Sequence, residues 1–530
     1  MKILSAHLLR IRPRPTTPRY QLRPPMALPS PKLNMSLSTT LSHPEPPELT
    51  STTAVHDYLH NLSDSHSNNT LPCSVTPFLN PRAIRRITLG STNYTYRLFF
   101  PTDGGHNPHT NSATTAILKY ASAYTSGEPR VRFDPARQVF EVRAMAEIPW
   151  TDIIPAQSQG QGQGVPQVKI PRVYFADPAR RVIIMEDGTP RKRRGGTANV
   201  KLDGEIDSDD VWEERSHSSR IFLEDLPASP DKYATASVLG KTLGMFLARM
   251  HNWARGGRKG EEDESGATPW VRETFGRNTY ARDLTIQEAI EDFWTGVRCC
   301  DIGGGEDGVL SGSRQEEVRE RLEDMRKRIL TDYETLVMGD FWSDPFSNLP
   351  PEAFTNFVSR LGNVLLTFRN IPSPFPTASK TIPPVSLETL SIIDWEFAMA
   401  GPAFLDVGNF IGEVFLINYF ERNDEVYTRL LEAFIVEYKT HTPPQRLDIE
   451  MILSYAGAHI VQALPRRISS PRSRATRENA RGCLEHAIGF ILNTSKTTGA
   501  SGGEQGGTTD ETLQGLLGIM RGLSALEESG

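Results

Sequence analysis

Apolar positions along the chain follow two different periods. From Asp231 to Trp253, Leu239, Leu243, Phe246, Leu247 and Met250 recur at three- and four-residue intervals, which predicts a buried helix. The same period returns at Leu284 to Val297, Asp424 to Tyr438, Asp448 to Leu464 and Thr476 to Leu492, and a charged helix is expected at Gln315 to Leu330. Upstream of residue 190 the pattern is short and extended instead. Arg85 to Phe100 reads as two strands joined through Gly90, Ser91, Thr92 and Asn93, and Thr114 to Ala121 reads as a third. Val168 to Met185 reads as a hairpin whose second strand, Val182 to Met185, runs into Glu186, Asp187 and Gly188. One helix interrupts these strands: Asp134 and Pro135 form a start signal, and Ala136 to Ile148 follows with Val139, Val142, Met145 and Ala146 at core spacing. Strands first and helices afterwards predict an α+β fold.

Biased stretches divide the chain. Residues 1–54 form a basic, proline-rich tail with no acidic side chain before Glu45 and with Arg10, Arg12, Arg14, Arg19 and Arg23. That bias resembles a mitochondrial presequence, although Pro13, Pro15 and Pro18 would cut an amphipathic helix to about a dozen residues. Folding is expected to begin near Val55. Ala156 to Gln167 is a Gln/Gly-rich loop, residues 189–220 are a charged insertion, and residues 496–530 are a Gly-rich tail with a weak helix from Glu511 to Glu527.

Composition narrows the class. The 530 residues, 38% of them hydrophobic, suffice for two sizeable cores, and a net charge of −6 disfavours general nucleic-acid binding. Cys73, Cys299, Cys300 and Cys483 suggest neither a disulfide framework nor a zinc site and fit a reducing, cytoplasmic setting. No run approaches the ~18 uninterrupted apolar residues of a membrane span, because Asp406, Asn409 and Glu413 break the most apolar region. Arg466, Arg467, Arg472 and Arg474 are read as a solvent-facing connection between two helices. Gly240, Lys241 and Thr242 imitate the end of a phosphate-binding loop, but Thr235 stands where its earlier glycine belongs and the context is mid-helix.

Candidate chemistry gathers in three pieces: VMGDFWS from Val337 to Ser343, GNVLLTF from Gly362 to Phe368, and IIDWEFAMAGPAFLDVGNF from Ile392 to Phe410. With Asp344 to Leu361 removed, Asp340 stands five positions before Asn363, and Asp394 and Glu396 follow at the end of the next strand. That is the spacing of a metal-dependent phosphotransferase. Transfer of a γ-phosphoryl group develops negative charge that a divalent metal on hard oxygen ligands offsets. Asp340 is placed to accept or orient the acceptor's hydroxyl proton, Asn363 and Asp394 to hold Mg²⁺, and Glu396 to point to the same side as Asp394 along an extended chain. The flanks of the eighteen residues Asp344 to Leu361 join without a seam, so this stretch is read as translated non-coding sequence. As a loop it would cost only roughly 1.5 kcal/mol in closure entropy; the alignment of Asn363 is what it endangers. Lys119, in an apolar strand, needs a partner if buried, and Glu141 on the following helix is available.

Together these pieces resemble the aminoglycoside phosphotransferase and choline kinase superfamily, with some similarity to methylthioribose kinase in the Asp394 to Glu396 motif. The resemblance covers roughly residues 84 to 492. It implies a two-lobed protein-kinase-like fold: a small antiparallel sheet with one helix over residues 55–188, binding nucleotide, and a larger, mainly helical catalytic lobe over residues 221–495. It implies ATP and Mg²⁺ as cofactors, with Asp340 catalytic, Asn363, Asp394 and Glu396 at the metal, and Asp406 bracing the catalytic loop. Gly90, Ser91 and Asn93 would cover the phosphates, Lys119 would contact the α/β-phosphates with Glu141 holding it, and the backbone near Met185 and Asp187 would meet adenine. The superfamily usually has His before the Gly-Asp pair; here Met338 fills that space. The expected function is phosphorylation of a hydroxyl on a small molecule, with no membrane or nucleic-acid partner. The alternative is a catalytically inactive kinase-like nucleotide-binding protein. A protein kinase is disfavoured, since neither a DFG-type nor an APE-type segment is present.

Overall fold

The computed structural model describes residues 48–66, 76–87, 92–100, 115–126, 132–154, 166–188, 216–218, 230–256, 266–300, 309–310, 312–341, 358–361, 363–370, 385–422, 425–469 and 473–493. The basic tail to residue 47, including the presequence-like stretch, and the weak helix expected at Glu511 to Glu527 lie outside them.

Alternation builds the first sheet. β1 (Ala83–Ile87), β2 (Tyr94–Phe99), β3 (Thr115–Tyr120), β5 (Val173–Asp177) and β6 (Val182–Glu186) pair antiparallel in the order β1-β2-β3-β6-β5. Tyr94, Tyr96, Leu98, Ala116, Leu118, Tyr120, Val182 and Ile184 share one core, covered by Val55, Tyr58, Leu59 and Leu62 of α1 (Thr52–His66). That helix starts three residues inside the stretch assigned to the tail, with Ser51 Oγ accepting from Ala54 N at 3.1 Å. The intervening positions Ile117, Ile183 and Met185 turn the other way, into the larger core. Lys119 shares their face.

Against that face lies α2 (Arg137–Glu147). Asp134 does not cap it; its Oδ1 accepts from Ala136 N at 2.9 Å, and Ala136 precedes the first helical residue. The expected apolar stripe is also rotated. Arg137, Gln138, Glu141, Ala144 and Met145 are buried, whereas Val139 is 39% exposed and Ala146 faces solvent. Hydrophobic spacing selects the wrong face because the inward face carries the charges of an ion network.

The expected hairpin from Val168 to Met185 is three strands. β4 (Gln167–Lys169) leaves for a second sheet of order β4-β11-β10-β9-β7, in which it runs parallel to β11 (Val385–Ile392). β11 pairs antiparallel with β10 (Val364–Asn370), and β10 pairs with β9 (Val358–Leu361), whose other edge meets β7 (Ser216–Ser218). The last four residues of the stretch read as non-coding are thus a strand in this sheet.

Helices make up the remainder: α3 (Trp150–Ile153), α4 (Pro230–Ala254), α5 (Pro269–Phe275), α6 (Thr279–Ile286) running into a π turn at Gln287–Glu291, α7 (Phe293–Cys300), α8 (Ser313–Thr331), α9 (Phe404–Ile417), α10 (Glu425–His441), α11 (Ile449–Ser469) and α12 (Arg477–Leu492). Along α4, a Cβ on Gly240 would lie 2.3 Å from Leu430 O and one on Gly244 2.4 Å from Phe434 O, so these glycines let α4 and α10 touch backbone to backbone. The triplet Gly240 to Thr242 is a helix contact. Every residue of α9 is buried. α11 continues past Pro465 to Ser469, so Arg466 and Arg467 are helical rather than in a connection; Arg466 is exposed, and Arg467 is buried and paired with Glu413. No helix among the described residues is long and apolar enough to cross a membrane.

Candidate active site

Asp340 follows β8 (Thr335–Val337), which pairs with β12 (Met399–Gly401), on a tight turn. Gly339 there has φ +77°, and a Cβ would lie 2.5 Å from Phe397 O, so the turn requires glycine. Asp406 accepts from Met338 N and Gly339 N at 2.8 and 2.9 Å. Behind it, His251 Nε2 lies 3.3 Å from Asp406 Oδ2 and Nδ1 lies 2.8 Å from the Tyr438 hydroxyl. Burial pulls the His251 pKa below its ordinary value despite Asp406, so the ring is neutral, donating to Asp406 and accepting from Tyr438. Met338 is fully buried beside this stack.

Asn363 Nδ2 donates to Asp340 O at 2.8 Å and to Asp340 Oδ2 at 3.0 Å. The stretch between them in sequence therefore does not hold them apart. Ile393 N donates to Asn363 O at 2.8 Å, which ties Asn363 to the end of β11. The next residue, Asp394, has φ 67° and ψ 57°. A left-handed conformation costs an L-residue roughly 1–2 kcal/mol. Trp395–Phe397 then form a 3-10 turn, so the extended alternation expected to set Asp394 and Glu396 side by side does not exist.

Two buried cations bind this acidic turn. Lys119 Nζ donates to Glu141 Oε1 at 2.7 Å and to Asp394 Oδ1. Arg137 Nε donates to Glu396 Oε2 at 2.8 Å, and Asn93 Nδ2 donates to the same oxygen at 2.7 Å. Burial alone would strip charge from Lys119, but Asp394, Glu141 and Glu396 outweigh it and raise its pKa. Burial pushes Glu141 up to about 7 against the pull of Lys119, whose charge Asp394 shares. Asp340 is raised well above the ordinary carboxylate range by burial and by the Asp394 carboxylate, with the Asn363 hydrogen bond opposing. Asp340, Asp394, Glu396 and Glu141 stand against Lys119 and Arg137, a formal balance of −2.

That balance, and the oxygens themselves, fit a divalent cation. Carboxylate oxygens of Glu141, Asp394 and Glu396 lie within 4.8 Å of one another, and the buried Glu141 Oε2 and Glu396 Oε1 have no hydrogen-bond partner.

The other expected site residues fall as follows. Gly90 and Ser91 lie outside the described residues. Asn93 is buried in the Arg137 network rather than open to a ligand. Met185 pairs with Ile117 one position before the β6 ladder ends at Glu186, and the Asp187 carboxylate accepts from Arg97 Nε at 2.8 Å, with its backbone past the last ladder pair. Sequence reasoning missed Arg137, whose apolar surroundings hide it in the pattern, and Asn278, whose Nδ2 donates to Glu396 O and Ala398 O at 3.3 and 3.0 Å. Asn278 carried a legible signal as an N-cap: its Oδ1 accepts from Ala281 N at 3.2 Å.

No family profile matches the chain. Two curated relatives do: 4-hydroxytryptamine kinase of Psilocybe cyanescens, 24% identical over 381 residues with 72% of this chain and 80% of the relative covered, and that of Psilocybe cubensis, 23% identical over 379 residues with 71% and 79% covered. These similarities support the resemblance to the choline kinase and aminoglycoside phosphotransferase-like kinase superfamily. A solved microcompartment-associated aminopropanol kinase aligns over 81% of this chain and 95% of its own at 16% identity, with a TM-score of 0.34. Within the superfamily pattern this chain differs by Met338 and by the residues between Asp340 and Asn363.

Proposed function

We propose that this protein transfers the γ-phosphoryl group of ATP to a hydroxyl of a small molecule, in a two-lobed kinase-like architecture with the sheet of residues 55–188 over the helical part of residues 221–495. The observation that carries this reading is the bonding of Asp340 to Asn363 beside an Asp394 that shares Lys119 with Glu141. Lys119 binds the α/β-phosphates, and Glu141 keeps its ammonium directed to them. Asn363 and Asp394 would hold Mg²⁺, which when bound would offset charge on the β- and γ-phosphates. Asp340 orients the acceptor hydroxyl and takes its proton as the new oxygen–phosphorus bond forms and the bond to the ADP oxygen breaks. Its raised pKa makes it a stronger base than an exposed aspartate. Asp406 holds the amides under Asp340, so the carboxylate starts from a fixed backbone.

The acceptor panel begins with 4-hydroxytryptamine, the substrate named for both relatives, followed by choline-like, aminoglycoside and sugar alcohols. Acceptor-dependent ADP release that requires Mg²⁺ and falls by about 10³-fold in Asp340→Asn is the expected result. Nucleotide binding with no turnover, both in the full chain and after deletion of residues 344–361, would instead support the inactive binding protein.

A further inference from the structure

The Arg137 side chain is fully buried, one helical turn ahead of Glu141, and binds three separate segments. Nε donates to Glu396 Oε2 at 2.8 Å, Nη1 to Asp134 O at 2.8 Å, and Nη2 to Asn93 Oδ1 at 2.8 Å and Thr92 O at 3.2 Å. The Phe133 ring lies under the guanidinium, 4.9 Å from its carbon. Asn93 closes the ring of contacts by donating to Glu396 Oε2 at 2.7 Å. A planar fork can bind these acceptors at fixed angles, and a lysine ammonium cannot.

Each partner sits beside a part of the phosphotransfer site. Thr92 and Asn93 end the segment between β1 and β2, α2 carries Glu141, and Glu396 stands two residues after Asp394. The opposite flank is held as well: Ile393 N donates to Asn363 O at 2.8 Å, and Asn278 Nδ2 donates to Glu396 O at 3.3 Å. The left-handed Asp394 is thus fixed from both sides.

We propose that Arg137 is a positioning residue which, through Glu396 Oε2 and Asn93, fixes the Asp394 turn against α2 and the β1–β2 segment. The proposal rests on the kinase reading above. Its consequence is that Mg²⁺-dependent nucleotide binding depends on a cation that touches neither metal nor nucleotide.

The test uses the full chain and calorimetric titration of ATP at several Mg²⁺ concentrations, with thermal melts recorded in parallel. Arg137→Lys should raise the Mg²⁺ midpoint for ATP binding about tenfold while leaving Mg²⁺-free ATP binding within about twofold. Glu396→Gln should give a similar rise, and the double variant should exceed either single by no more than about twofold, since both break one device. Should Arg137→Lys fail to fold, Asn93→Ala in combination with Glu396→Gln gives the same non-additivity. A wild-type Mg²⁺ midpoint in Arg137→Lys, or additive effects in the double variant, would overturn the lock. A wild-type chain that binds no ATP would overturn the kinase reading and the lock with it.

Discussion

Asp340 and Glu413 are both buried carboxylates, yet their acidities move in opposite directions. Burial raises both, but at Glu413 the Arg467 guanidinium and His459 more than compensate and leave its pKa lowered. Arg467 and His459 Nε2, the latter at 3.2 Å, bind its two oxygens separately. At Asp340 the neighbouring charge is another carboxylate, Asp394, and the pKa rises. One region spends its charges on closing a helix interface between α9 and α11; the other concentrates like charges where strands and turns end. Buried charge that is satisfied marks structure, and buried charge held against its own preference marks chemistry.

The largest effect should come from Asp340. Asp340→Asn removes the proposed proton acceptor and should reduce turnover by about 10³-fold, close to 4 kcal/mol of transition-state stabilisation. The melting temperature should hold or rise, because a disfavoured buried charge is gone; a marked loss of stability would erase the contrast with Glu413. Glu413→Ala should do the reverse. It strands Arg467 in the core and should cost about 3–5 kcal/mol in denaturant unfolding, with ATP affinity of the folded fraction retained. A near-neutral result would show that the helix-interface pair is no more structural than the site.

The smallest effect is a pH dependence from His251. Its folded pKa lies below the unfolded value near 6.5, so the unfolded chain takes up the proton first. The stability it contributes is present above that value and is lost as pH falls below it, by at most about 1.4 kcal/mol per pH unit. Unfolding curves between pH 7.5 and 5.5 should show this slope in the wild type and a flatter one in His251→Gln. An unchanged slope would mean that another group titrates.

Legibility followed the same division. Apolar period alone delimited α4, α10, α11 and α12 to within a few residues, because their cores are made of Leu, Ile and Phe whose spacing is the interface itself. It failed on α2, where the buried stripe is Arg137, Gln138 and Glu141 and the apolar Val139 points outward. α1 was overlooked although Val55, Tyr58, Leu59 and Leu62 stand at helical spacing, because the basic tail beside it dominated the composition. At the site, Asp340, Asn363 and Asp394 near strand ends, Lys119 within a strand and Glu141 on the following helix were legible as residue types, and the structure brings them together. The left-handed turn at Asp394 was not, since local spacing presumes a continuing strand. Nor was the Arg137 lock, whose partners lie 259 and 44 positions away in sequence.

Asn363 and Asp394 are proposed to hold a divalent cation beside a nucleotide. Electron paramagnetic resonance of Mn²⁺, titrated into the full chain with ADP present, tests this most directly. One Mn²⁺ should bind per chain with nucleotide, with affinity reduced by about 10²-fold in Asp394→Asn. Equal Mn²⁺ affinity in the two proteins, or binding indifferent to ADP, would contradict it.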